Sequence, residues 1–162
     1  MAISTRPFNG LESDNNPAGF EAHYDVITSA DQVQSYETIM QNLAGDLTYT
    51  LMEAATYRQD NRLLPPGMDK STVPATIQPR GAAMADADFV GGSDQVHYQI
   101  SGLPAGSYAI DARLNYQTMA YGFGQDLFND ADDPRVALFR DLNDQARLRF
   151  ETVSSDTHDL NF

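Results

Sequence analysis

The clearest alternation of apolar and polar positions runs from Val96 to Tyr116. Val96, Tyr98 and Ile100 alternate with polar residues, and Gly102-Leu103-Pro104-Ala105-Gly106 turns the chain. Tyr108, Ile110, Ala112, Leu114 and Tyr116 then alternate again, with Asp111, Arg113 and Asn115 between them. A period of two on both sides of a Gly/Pro turn predicts an antiparallel hairpin over 95–117 with one buried face. Weaker strand patterns cover 33–41 and 48–57, and Thr72–Gln78 supplies one short edge strand. A sheet with one buried face needs a second layer, which predicts a sandwich.

One helix is written into the pattern. Asp133 can cap free backbone N–H groups, Pro134 suits the first helical position, and Val136, Leu138, Phe139 and Leu142 form a stripe. Arg147 to Val153 alternates once more as a last strand. Residues 1–22 are polar and turn-rich and predict an irregular arm, while 60–92 form a long connection. The predicted fold is all-β: an antiparallel β-sandwich, immunoglobulin-like or jelly-roll-like, with long loops and one short C-terminal helix near 133–145. Its parts are an arm (1–22), a sandwich domain (23–153) and a tail (154–162).

Composition narrows the chemistry. The 162 residues fit one domain and contain no cysteine. That excludes covalently attached haem, thiolate metal sites, cysteine catalysis and disulfides in this chain. No stretch is apolar and long enough to span a membrane, and the first residues lack the apolar middle of a signal peptide. Ten basic residues against 23 acidic ones give a formal charge of −13. Such a surface repels phosphate backbones, so nucleic acid is not an expected partner. Most of the acids are Asp, which favours turns and loops.

Candidate chemistry is sparse. His23, His97 and His158 are far apart and read as surface or hydrogen-bonded histidines. Gly91-Gly92-Ser93-Asp94 lacks the strand-to-helix frame of a nucleophile elbow and the lysine of a phosphate loop, so it reads as a structural loop. Two readings of Asp86–Asp94 stand: a solvated loop, or a calcium site in which Asp86, Asp88 and Asp94 give hard oxygens. Asp130-Ala131-Asp132-Asp133 reads as acidic charge at a helix start.

The segments His23-Tyr24, Asp31-Gln32-Val33-Gln34-Ser35-Tyr36-Glu37 and Tyr57-Arg58-Gln59-Asp60-Asn61-Arg62-Leu63-Leu64-Pro65-Pro66-Gly67 recur in a recognisable order. With Asp94-Gln95-Val96-His97-Tyr98 and Leu114-Asn115-Tyr116-Gln117 they resemble the haem-free carboxy-terminal β-sandwich of large periplasmic multihaem c-type cytochromes. The resemblance covers roughly residues 20–130. Pro66 stands where that group has Arg, Met68 where it has Phe, and Tyr121–Leu127 replaces a segment with Arg and Trp. No CxxCH motif is present.

The resemblance implies a periplasmic or extracellular, non-catalytic domain or subunit that scaffolds electron transfer or docks a partner. The partner would be a multihaem cytochrome, or another chain completing a sheet edge, a second copy included. No covalent cofactor is expected. Within the loop, Asp60 and Asn61 can bond nearby backbone while Arg62 pairs with a carboxylate, and Pro65, Pro66 and Gly67 shape its exit. That is a loop-locking set rather than a catalytic one. The alternative is a stand-alone extracytoplasmic module binding carbohydrate or calcium.

Overall fold

The computed structural model describes residues 18–129, 132–146 and 150–161. Most of the expected arm, the Asp130-Ala131 pair and the expected strand start at Arg147 lie outside them. The chain divides into two compact units, one of Asp14–Gln99 and one containing Ile100–Phe162. The boundary falls inside the stretch 23–153 that the sequence pattern reads as one domain.

The Asp14–Gln99 unit holds β1 (Val26–Ile27), β2 (Thr38–Gln41), β3 (Leu47–Thr48), β4 (Thr56–Asp60), a 3-10 turn (Gly81–Met84) and β5 (His97–Tyr98). The strands β3-β2-β4 form an antiparallel sheet, and β1 pairs with β5 in parallel. Leu64, Ala83 and Phe89 make a small apolar core, with Tyr36 and Met68 packed on it. Around them, Glu21, His23, Ser35, Thr48, Gln59, Asp60 and Asn61 are also buried. Buried polar groups must bond to one another, so this interior is organised by hydrogen bonds as much as by apolar packing.

A register shift between Ile39 and Met40 leaves Arg58 as an extra residue on β4. Such a bulge turns the strand, and Gln59, Asp60 and Asn61 are then buried in succession, which strict alternation forbids. After β4, Met68 N–H donates to Pro65 O, and Gly67 has φ +84. Pro66 and Gly67 thus sit at the two central positions of a tight turn that requires positive φ at the second.

The second unit holds β6 (Ser107–Tyr116), α1 (Tyr121–Asn129), α2 (Pro134–Gln145) and β7 (Glu151–Asn161). Asp133 caps α2 by accepting from Arg135 N–H, with Pro134 at the start. Phe128 of α1 meets Phe139 of α2 at 6.0 Å between ring centres, and Arg140 lies over the Phe128 ring. β6 and β7 form a long antiparallel ribbon from Ser107↔Asn161 to Tyr116↔Glu151.

The all-β sandwich expectation is overturned. Among the described residues seven strands form three separate small sheets, none closed, alongside two helices, so the content is mixed α/β. The hairpin expected over 95–117 is also absent. β5 is two residues long and pairs with β1, while the alternating strand β6 finds its partner in β7. Residues 154–161, expected as tail, are therefore strand. Thr72–Gln78 forms no strand, and Leu51–Glu53 turns between β3 and β4. Among the described residues no helix is long and apolar enough to cross a membrane.

Candidate functional site

His23 is the centre of the buried polar interior, 6% exposed. Its Nδ1 faces Gln34 Nε2 at 2.9 Å and Asn61 Nδ2 at 3.2 Å. Backbone bonds fix how both amides point. Gln34 Oε1 accepts Tyr24 N–H at 2.8 Å, and Asn61 Oδ1 accepts Glu37 N–H at 2.9 Å. Each amide therefore turns its N–H toward His23, and Asn61 Nδ2 also donates to Ser35 O at 2.6 Å. Nδ1 can only accept, so the imidazole proton sits on Nε2 and is donated to Asp86 Oδ2 at 2.9 Å. Gln59 closes the network: its Oε1 accepts His23 N–H, and its Nε2 donates to Glu21 O.

Asp86 is as fully engaged. Its Oδ1 accepts the N–H groups of Asp88 and Phe89, and the Phe89 ring stands edge-on to His23 at 4.9 Å. Burial alone would raise the Asp86 carboxyl, but the bonds from His23, Asp88 and Phe89 outweigh it and hold it below the usual value. The sign follows directly. A depressed folded value gives stability that is present above the unfolded value near ~3.9 and is lost as pH falls through the folded one. The Asp14–Gln99 unit is thus expected to lose stability below about pH 4. Asp86→Asn keeps an acceptor for His23 but takes up no proton, so acid titration followed by circular dichroism should show a flattened acid limb.

Lys70 and Tyr36 flank this centre. Lys70 Nζ donates to Ala83 O at 3.0 Å and to Asp86 O, and lies 5.5 Å from the Phe89 ring centre. Tyr36 O–H donates to Asp94 Oδ2 at 2.6 Å. Its phenol is pushed up, first by burial and then by Asp94.

The loop residues chosen from sequence take distinct places. Asn61 is fully buried in the network, while Asp60 bridges to Arg80 through paired backbone bonds. Arg62 makes a bidentate pair with Asp60 at 2.9 and 2.8 Å, its own side chain 63% exposed. Solvent screens that pair, so Arg62→Ala should cost less than about 1 kcal/mol in a denaturant melt. The exposed pair Pro65-Pro66 meets the glycine loop: Gly92 N–H donates to Leu64 O, and Gly91 packs against the backbone of Pro65 and Met68. Gly91-Gly92 is thus the seat of the proline turn.

Asp86, Asp88 and Asp94 do not gather at one point. Asp86 and Asp94 join His23 in one group of donor atoms within 4.8 Å, and Asp88 joins Asp25 and His97 in another. The first group is the wrong chemistry for a metal. A ligating imidazole hands its other ring N–H to an acceptor, whereas His23 Nδ1 faces two donors. A metal at Nε2 would displace the proton onto that occupied side. Asp94 Oδ1, buried and without a hydrogen-bond partner, does not change this. The second group lies on the β1–β5 pair, where His97 N–H donates to Asp25 O, and is largely exposed.

No nucleophile–base pair emerges among the described residues. Both ring nitrogens of His23 are occupied, and His158 is exposed in β7. An open hollow of about 370 Å³ is lined by Asn129, Asp132, Asp133 and Val136. Its Asp133 carboxylate is already taken by Arg135. Sequence reasoning does not single out Lys70; it reads His23 only as a surface or hydrogen-bonded histidine, and Gln34 and Gln59 only as parts of the recognisable segments. Their partners are up to 63 positions away, and no local spacing announces them. Comparison with family models, with curated proteins and with solved structures returns no match.

Proposed function

We propose that this chain is a non-catalytic accessory module that docks onto, or scaffolds, a multihaem c-type cytochrome outside the cytoplasm. One observation carries the non-catalytic part. The residues of the recognisable segments, among them His23, Gln34, Ser35, Tyr36, Glu37, Asn61 and Asp94, converge in one buried network whose polar atoms bond mainly to each other. A motif bonded in this way locks a fold, with Asp94 Oδ1 left over, and that favours a structural over a catalytic role. The cytochrome association rests on the resemblance of those segments, and the lack of cysteine means that covalently attached c-type haem belongs to the partner.

The test is isolation of the native complex, with haem staining and intact mass measurement of each component. The expected result is a stoichiometric companion carrying covalent haem. A chain that purifies alone, or with a haem-free companion, contradicts the reading. A second reading, a calcium- or carbohydrate-binding module, has the Asp25–Asp88–His97 group behind it. Calorimetric titration with calcium separates the two, because the docking reading needs no cation.

A further inference from the structure

The β6–β7 ribbon has no residue that is buried. Two-stranded ribbons are marginal in water, and stability requires a third strand or a covering layer. On one face stand Tyr108, Ile110, Ala112, Leu114 and Tyr116, with Ile110 and Leu114 41% and Tyr116 60% exposed. Among the described residues each strand pairs only with the other, so each has an open edge. The edges differ in charge. On β6, Arg113 is bonded to Asp111 of the same strand. β7 carries Glu151, Asp156 and Asp159 with no lysine or arginine. Their cross-strand partners are Tyr116, Ala112 and Ala109, so nothing opposite neutralises them.

Natural edges are blunted with charged side chains, lysine above all, with proline or with bulges. On β7 the charges are all acidic, which discourages an acidic strand or a second copy but not a basic strand. β7 has neither lysine nor proline along Glu151–Asn161, and its bulge falls near one end, beside the Leu114/Asn115 shift. We propose that the open edge of β7 accepts an extended strand from a partner protein, one that alternates basic with β-branched apolar residues. Glu151 and Asp156 lie opposite Tyr116 and Ala112, on the face of Ile110 and Leu114, and Asp159 lies on the other. Backbone bonds would extend the ribbon, basic side chains on the first face would meet Glu151 and Asp156, and the β-branched ones would lie on the second beside Ser155 and Thr157. A second copy of this chain is the poorer occupant. Pairing β7 with itself sets acids beside acids, in a protein of net charge −13. This inference rests on the docking reading and supplies its surface.

The test uses the full chain and two blocked, labelled peptides of about ten residues, one alternating lysine with valine and one glutamate with valine. The lysine peptide should bind, weaken as salt rises, and slow amide exchange along residues 151–161. The glutamate peptide should not bind. The double variant Glu151→Lys, Asp156→Lys changes exposed side chains on one face only. It should lose about tenfold or more in affinity for the lysine peptide and gain affinity for the glutamate peptide. Equal binding of both peptides, protection that maps to Asp14–Gln99 or to β6 alone, or a peptide-free oligomer already protected along β7 overturns the proposal. The two proposals fail separately. A lysine peptide on β7 with a haem-free native partner sinks only the cytochrome reading. A haem-bearing partner that leaves the β7 amides exchanging freely sinks only this one.

Discussion

Asn61→Ala is expected to destabilise the Asp14–Gln99 unit by about 3–5 kcal/mol, one of the largest effects of any single polar substitution in the chain. The side chain is 0% exposed and ties together two other segments, one at His23 and one at Ser35–Glu37. It accepts from Glu37 N–H, donates to Ser35 O and donates to His23 Nδ1. Truncation leaves a backbone donor, a backbone acceptor and a ring nitrogen without that partner, at about 1–3 kcal/mol for each that stays buried. In a unit of this size the melting temperature should fall by roughly 12 °C or more. Thermal melts of the two proteins decide it, and a drop of only about 2–3 °C would mean that water replaces the amide without loss. Asn61→Asp sharpens the test. It keeps the acceptor for Glu37 N–H but sets a carboxylate oxygen against Ser35 O, so it should also destabilise.

Gly91→Ala is expected to cost about 3 kcal/mol or more, although it adds one methyl group at an ordinary φ. A Cβ there would lie 2.5 Å from Met68 O, 2.7 Å from Met68 N and 2.9 Å from Pro65 O. All three are backbone atoms of the proline turn, so no side chain can swing aside. The turn must lift, which breaks the Gly92 N–H bond to Leu64 O and loosens Leu64 in the core. Gly45→Ala is the control. Gly45 has φ +91 and open space around it, so only backbone strain of about 1 kcal/mol applies. Denaturant melts in which the two variants lose equal stability would show that the glycine seat is not tight.

What the sequence made legible was local. Asp133-Pro134 caps and starts a helix by rules that need no distant partner, and Pro66-Gly67 forms its turn for the same reason. The alternation from Tyr108 to Tyr116 marks a strand, but alternation does not say which strand pairs with it. Its partner Glu151–Asn161 reads as strand only as far as Val153; residues 154–161, mostly Ser, Thr and Asp with no apolar period, pass for a tail. The assumption that β6 buries its apolar face then produced the sandwich. The bulge at Arg58 is equally silent in sequence, and so is the burial of Gln59, Asp60 and Asn61 in succession after it. Of the candidate site, the Asp60–Arg62 pair was readable because its residues are two apart, whereas Asn61, expected to bond nearby backbone, bonds Ser35, Glu37 and His23 far away in sequence. The role of His23 was not readable either, because it depends on Gln34, Asn61 and Asp86 arriving from three remote segments.

The central claim is that the recognisable segments form a closed structural lock around a neutral His23 rather than a reactive or metal-binding centre. Nitrogen-15 chemical shifts of the His23 ring in the folded protein test it most directly, recorded with and without zinc. The account predicts a proton on Nε2, an unprotonated Nδ1 in the range of a hydrogen-bond acceptor, and no change on adding zinc. A proton on Nδ1, or an Nε2 resonance that moves to a metal-bound position with zinc, would contradict it.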